Sequence, residues 1–172
     1  MRTVVLGPRP PELDALIEKR RARGQDLYDE VWEGEYHMTP AAAGPRAILD
    51  DELAAALRPL AQRAGLIGSG PFTLDRQGDF RVPDRGLHRK RLSGVWADTA
   101  ALVVEILSPD DESFATFPFY AAHGVDEVLV ADPAARAVRL WRLAGSEAYE
   151  EVDASALLGV TTAALAAEIS WP

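Results

Sequence analysis

The length, composition and charge of this chain limit what it can be. Its 172 residues suffice to bury a core without cross-links, and the absence of cysteine excludes disulfides and thiolate metal sites. A net charge of −9 weighs against broad, non-specific binding of nucleic acid, because that binding depends on Lys and Arg neutralising phosphates. No segment approaches the ~18 apolar residues of a membrane span, and the N-terminal apolar run is too short for a signal peptide. We therefore expect a soluble, cytoplasmic protein with a single domain over residues 1–172, of which residues 1–10 form an irregular arm.

The first half of the chain predicts two helices and several strands. Acids in the first turn, arginines in the last and a following Gly24 are typical of a helix that starts at Pro11. Apolar residues at helical spacing between Ile48 and Leu60 indicate a second, longer helix, which Pro59 should kink or split. The predicted elements are a helix at Pro11–Arg23, a hairpin at Leu27–Met38, a loop at Thr39–Pro45, a helix at Arg46–Ala64, and strands at Leu66–Leu74 and Asp79–His88.

The second half of the chain predicts a strand–helix–strand unit followed by further strands. The predicted elements are a loop at Leu92–Thr99, a strand at Ala101–Leu107, a helix at Asp111–His123 that Pro118 disturbs, strands at Val125–Ala131, Ala137–Leu143 and Ala148–Val152, and a last helix within Ser155–Ile169. The unit from Ala101 to Ala131 has βαβ form, so its two strands should be parallel. We expect a mixed α/β fold whose sheet is partly antiparallel and covered by helices.

Two carboxylates stand out against this background. Glu105 lies inside the apolar run of Leu102–Leu107, where a charge is costly unless it is paired or bound to a cation. Asp84 ends another predicted strand, after Val82 and Pro83. Two carboxylates on neighbouring strands can hold a divalent metal ion. The alternative for each acid taken alone is a buried carboxylate satisfied by backbone donors or by an arginine.

The order of several short segments resembles a known family. The segments are Tyr28–Met38 (YDEVWEGEYHM), Val82-Pro83-Asp84, Val103–Pro109 (VVEILSP), Phe117–Glu127 (FPFYAAHGVDE) and Ala131-Asp132-Pro133. From about Tyr28 to the C-terminus, the chain is similar to a large bacterial family of restriction-endonuclease-like proteins in the PD-(D/E)XK nuclease superfamily. The resemblance implies an α/β (α+β) core in which helices flank a mixed central sheet.

The resemblance also implies a metal-dependent phosphodiesterase site. Asp84 and Glu105 would be catalytic and would bind the metal ion, and the carbonyl of Ile106 would complete the ligand set. Glu33 or Glu35 would be the upstream catalytic acid, and the sequence leaves open which. The implied cofactor is Mg²⁺ or Mn²⁺, which prefer oxygen ligands. The implied partner is DNA, and the family suggests a homodimer.

One part of the family pattern is missing from this chain. The lysine that would stabilise charge is expected two residues after Glu105, where Leu107 stands, or on the following helix, where Thr116 stands. Lys90 lies six residues beyond Asp84, which is ~20 Å along a continuing strand. Two hypotheses remain: a metal-dependent endonuclease with a degenerate site, or a catalytically inactive nuclease-fold protein that binds nucleic acid or protein.

A cluster of basic residues follows Asp84 directly. It consists of Arg85, His88, Arg89, Lys90 and Arg91. Such a cluster either contacts phosphates or forms a solvated loop.

Overall fold

The computed structural model describes residues 10–39, 44–76, 78–108 and 113–172. Most of the predicted N-terminal arm and the acids predicted to open the helix at Asp111 therefore lie outside the described residues. The helices are α1 (Pro11–Ala22), α2 (Gly44–Arg63), α3 (Phe117–Ala122, preceded by a 3-10 turn at Ser113–Thr116) and α4 (Thr162–Ala167). No helix in these ranges is long and apolar enough to cross a membrane.

Strands make up most of the remaining regular structure. In chain order they are β1 (Glu30–Trp32), β2 (Glu35–His37), β3 (Ile67–Ser69), β4 (Thr73–Arg76), β5 (Asp79–Arg81), β6 (Arg85–His88), β7 (Trp96–Ala97), β8 (Leu102–Ile106), β9 (Glu127–Asp132), β10 (Ala137–Ala144), β11 (Ala148–Val152), β12 (Ala154–Ser155) and β13 (Val160–Thr161).

The strands form two large sheets and one small one. The larger sheet has the order β11-β10-β9-β8-β6-β3, and the second has the order β2-β1-β5-β4-β7. In the larger sheet β8 and β9 are parallel, as the βαβ pattern predicts, and the other neighbours are antiparallel. The mixed fold with helices against a mixed sheet is therefore confirmed.

The core lies on both faces of the central strand β8. Leu102, Val104 and Ile106 share one face and pack with the buried residues of α2 and α4. Val103 lies on the opposite face and packs with Tyr120 of α3 and with residues of the second sheet. Because both faces are covered, all five residues of β8 are buried, Glu105 among them.

The structure corrects several predicted boundaries. The predicted strand at Asp79–His88 is two strands, β5 and β6, which belong to different sheets. The chain passes between the sheets at Val82-Pro83-Asp84, where Pro83 offers no N–H for a ladder. The predicted strand at Leu66–Leu74 is likewise divided, into β3 and β4, by Gly70 and Pro71.

Pro59 does not split α2, whereas the predicted helix around Pro118 is divided just before that proline, into a 3-10 turn at Ser113–Thr116 and α3. The helix α2 runs unbroken through Pro59, which lies on the exposed side, so the carbonyl that loses its N–H partner faces water. Pro118 falls in the first turn of α3, where the missing N–H would have no helical partner in any case. The predicted loop at Leu92–Thr99 also contains a short strand, β7, which pairs with the distant β4.

The tight contacts of Gly86 in β6 lead to a prediction about stability. A Cβ at this position would lie 2.4 Å from Phe72 Cε1 and 2.7 Å from His88 Nε2, so both buried rings would have to move. We expect Gly86→Ala to lower the free energy of unfolding by about 1–3 kcal/mol, as overpacked core positions do. Urea denaturation measures this change.

Gly68→Ala is the matched control. Gly68 lies in the adjacent strand β3, and its added Cβ would meet only Leu87 Cδ2 at 3.7 Å, an ordinary contact. Equal urea midpoints for the two variants would contradict the packing described here.

Candidate functional site

The pairing of β6 with β8 brings Asp84 to the carboxyl end of the central strand. Arg85 is opposite Val104 in this antiparallel pair. Asp84, the residue before Arg85, therefore lies beside Glu105 and Ile106, the next residues of β8. The backbone N–H of Ile106 donates to Asp84 Oδ2 at 2.8 Å. The structure therefore brings together the Asp84 carboxylate and the Ile106 backbone, the neighbouring positions that the sequence selected.

An arginine that the sequence did not single out lies on these same groups. Arg46, in the first turn of α2, donates from Nη2 to Asp84 Oδ1 and Oδ2 at 2.8 and 2.6 Å. Its Nη1 donates to the carbonyl oxygen of Ile106 at 2.6 Å. Asp84 is thus a largely buried carboxylate satisfied by an arginine, which is the alternative to a metal site that the sequence left open.

The surroundings of Asp84 act on its pKa in opposite directions. Burial raises the pKa, because it disfavours the charged carboxylate, and this effect is the largest. The Arg46 guanidinium and the Ile106 N–H lower it by stabilising the charge. The Asp84 side chain is only 13% exposed, so this carboxylate depends on its protein partners rather than on water.

With Arg46 in place, the arrangement does not fit a divalent metal ion. Both oxygens of Asp84 and the Ile106 carbonyl, which the resemblance assigns to the metal, accept N–H bonds. Within the described residues, no three side chains of His, Cys, Asp or Glu converge in a geometry that could hold an ion. The oxygens that the resemblance assigns to a metal ion are therefore occupied by donors of the protein itself.

Glu105 lies on the face of β8 opposite to that of Val104 and Ile106. There it is 8% exposed and faces α3. The hydroxyl of the fully buried Tyr120 donates a hydrogen bond to Glu105 Oε1. Burial and the charge of Glu105 raise the pKa of Tyr120 well above its ordinary value, so the hydroxyl keeps its proton and remains a donor. Thr116, at the expected lysine position, is buried beside this hydroxyl, and its own Oγ1 donates to the Ser113 carbonyl at 2.5 Å.

The acid that joins this group from the first hairpin is Glu30. It is 6% exposed, and its carboxylate accepts the N–H of Val82 at 2.7 Å and Nε1–H of Trp32 at 2.7 Å. Its charge also raises the pKa of Tyr120, the residue that donates to Glu105. The signal that could have found it is the one that found Glu105, namely a carboxylate within a strand-like apolar run.

The two acids named from the sequence lie farther along the same hairpin. Glu33 is exposed at the turn, with φ of 49°, and its backbone N–H donates to Asp79. Glu35 pairs with Trp32 across the hairpin and is half-buried. Neither has a described contact with Asp84 or Glu105, and which acid acts in the protein stays a prediction.

A buried arginine, Arg81, completes the surroundings. Its guanidinium carbon lies 4.7 Å from the Trp32 ring centroid and 4.2 Å from that of Phe119, so it is stacked between two aromatic faces. Its Nη1 donates to the Val31 carbonyl at 2.7 Å and to Asp79 at 2.8 Å. The cation is thus held by rings and by neighbours within its own sheet.

Neither lysine has a described contact with Asp84 or Glu105. Strand β6 continues without a bend to His88 and runs antiparallel to β8, so the chain beyond it moves away from Glu105. Lys90 and Lys19 are both exposed. In the basic cluster, Arg85 pairs with Asp50, Arg89 pairs with Asp126, and His88 is buried, which leaves Lys90 and Arg91 as its exposed cations without a described ion pair.

Comparison with models of known protein families shows which family this chain belongs to. The family model described as "Uma2: Putative restriction endonuclease" matches residues 11–171. The chain belongs to the Uma2 family. The restriction-endonuclease-like resemblance is therefore confirmed over nearly the whole sequence.

A solved structure shows the same fold as this Uma2 member. It is the crystal structure of a "putative nuclease belonging to DUF820" from Anabaena variabilis ATCC 29413. That protein is 15% identical in sequence to this chain, and the two structures superimpose with a TM-score of 0.65. The match covers 81% of this chain and 90% of the other. No curated protein matches the chain. At this identity the likeness establishes the fold, which is the one predicted.

The Tyr120–Glu105 bond leads to a second prediction about stability. We expect Tyr120→Phe to lower the free energy of unfolding by about 1.5–3 kcal/mol, because a hydrogen bond to a charged group is lost inside the core. Urea denaturation at neutral pH measures the loss.

Tyr149→Phe is the control for this comparison. It removes a hydroxyl that donates to the neutral carbonyl of Val125 at 2.6 Å, and we expect a smaller loss of about 0.5–1.5 kcal/mol. A Tyr120→Phe variant no less stable than Tyr149→Phe would show that Glu105 does not depend on this donor.

Proposed function

We propose that this Uma2-family protein is a nuclease-fold protein that binds nucleic acid without hydrolysing it. The observation that carries the proposal is the buried hydroxyl of Thr116 beside Tyr120, at the position where the family resemblance expects a lysine. A hydroxyl can donate a hydrogen bond but has no charge to offset that of a phosphoryl transition state. Loss of a preorganised stabiliser costs on the order of 10²–10³ in rate.

The cations that do lie among the acids do not replace that lysine. Arg46 is engaged by Asp84 and by the Ile106 carbonyl, and Arg81 is stacked between Trp32 and Phe119. Each guanidinium already compensates groups of the protein. Neither is presented as a free charge to an incoming phosphate.

A second candidate function is a Mg²⁺- or Mn²⁺-dependent endonuclease that acts on DNA as a homodimer. The observation that favours it is the retention of three largely buried acids, Glu30, Asp84 and Glu105, around β8 and the crossing between sheets. Buried acids without a role are costly, and they are common at catalytic sites. This candidate requires Arg46 to leave Asp84 when a metal ion binds.

The two candidates are separated by plasmid cleavage in Mg²⁺ and in Mn²⁺. We expect the wild-type protein to produce no more nicked or linear plasmid than Asp84→Ala, because the charge stabiliser is missing. We expect any gain of cleavage to come from Thr116→Lys, which places a cation beside Tyr120, the residue that donates to Glu105. Thr99→Lys, which places the same charge at an exposed threonine, is the matched control.

Cleavage by the wild-type protein that vanishes in Asp84→Ala would overturn the non-catalytic proposal and establish the second candidate. In that event, light scattering that shows a monomer at the concentration used for cleavage would remove the homodimer from it. Circular dichroism of each variant ensures that loss of fold is not mistaken for loss of chemistry.

Binding of nucleic acid is tested separately, by fluorescence anisotropy of a labelled DNA duplex in EDTA. We expect binding that weakens as salt rises and that falls in the double variant Lys90→Ala, Arg91→Ala, because these exposed cations are available to phosphates. The control removes two exposed arginines of α2 instead, Arg58 and Arg63. Failure of the wild-type protein to bind at low salt would contradict the proposed ligand.

A further inference from the structure

We infer that Arg46 is the resident cation of this site: its guanidinium takes the place of a divalent metal ion on Asp84 and on the Ile106 carbonyl. A metal ion and Arg46 then compete for the same oxygen atoms. The inference goes beyond the proposed function, because it concerns which cation the acids hold and does not depend on whether any bond is cleaved.

The geometry makes the two cations mutually exclusive. The nitrogens of Arg46 lie 2.6–2.8 Å from both Asp84 oxygens and from the Ile106 carbonyl oxygen. An ion bound to the same carboxylate and carbonyl at about 2.0–2.1 Å, as for Mg²⁺, would occupy the space of the guanidinium. The side chain of Arg46 must therefore move away before an ion can bind.

Charge reinforces this exclusion. Arginine stays protonated at all ordinary pH values, so its charge cannot be removed to admit a second cation. Asp84 carries one negative charge in a site that is largely shielded from water, where like charges repel strongly. A divalent ion beside a retained Arg46 would face that repulsion, and the nearby Asp50 carboxylate is already paired with Arg85.

The position of Arg46 is fixed by the core, while its side chain keeps a path to solvent. The helix that carries it is anchored through Leu49, Leu53 and Leu57, which are 0%, 0% and 3% exposed. One turn beyond Arg46, Asp50 pairs with Arg85 at 2.7 Å. The Arg46 side chain itself is 29% exposed, so it can swing outward without unfolding α2.

The test is a titration with Mn²⁺, in which electron paramagnetic resonance reports the free ion. We expect Arg46→Met to bind Mn²⁺ roughly ten- to hundred-fold more tightly than the wild-type protein, because the competing charge-assisted bonds are gone. Adding Asp84→Asn to Arg46→Met should abolish that gain. Arg85→Met is the matched control, since it removes an arginine paired with Asp50 of the same helix and leaves Asp84 covered.

Thermal unfolding gives a second readout that needs no activity. We expect Mn²⁺ to raise the melting temperature of Arg46→Met and to leave those of the wild-type protein and Arg85→Met unchanged. If Arg46→Met does not fold, Arg46→Ala replaces it, because it also removes the charge and leaves the Asp84 and Ile106 oxygens open to the ion.

Two outcomes would overturn the inference. One is wild-type binding of Mn²⁺ that is as tight as that of the Arg46 variant and is lost in Asp84→Asn. The other is a folded Arg46 variant that gains no affinity for Mn²⁺. Neither outcome depends on plasmid cleavage, so this inference and the proposed function fail by different measurements.

Discussion

The compensation of one buried carboxylate fixes the geometry of the whole site. Asp84 has little access to water, and a buried charge without partners destabilises a protein severely. Its partners come from two elements distant in the sequence, the guanidinium of Arg46 on α2 and the N–H of Ile106 on β8. The entry of α2, the start of β6 and the end of β8 therefore hold their relative positions, because moving any one of them would leave a charge uncompensated.

The crossing between the two sheets depends on a second carboxylate. Pro83 cannot join a ladder, and Val82 just before it donates its N–H to Glu30 of the first hairpin. Trp32, two residues further along that hairpin, donates to the same carboxylate. Glu30, in β1, thus links one sheet to the segment that enters the other, close to Asp84.

Local pattern was enough to predict part of this arrangement. The apolar run around Glu105 predicted a buried strand, and the βαβ order predicted its parallel neighbour, because both signals lie within a short stretch. Arg46 could not be selected in the same way, since it lies 38 residues from Asp84 and 60 from Ile106 and looks like any other arginine. The burial of Glu30 could not be predicted either, because its partner Val82 lies far along the chain and burial is set by long-range packing.

The presence of acids at the expected positions is therefore weak support for metal chemistry in this chain. Asp84 is matched by a guanidinium and an N–H, Glu105 by the hydroxyl of Tyr120, and Glu30 by an indole and a backbone N–H. Donors of this kind stabilise ionised carboxylates in a folded protein without any ion. Acids at these positions can thus serve the stability of the fold alone. They can serve catalysis only if a metal ion can reach their oxygen atoms. In the described structure the cation that contacts Asp84 is the guanidinium of Arg46, a side chain of the protein itself.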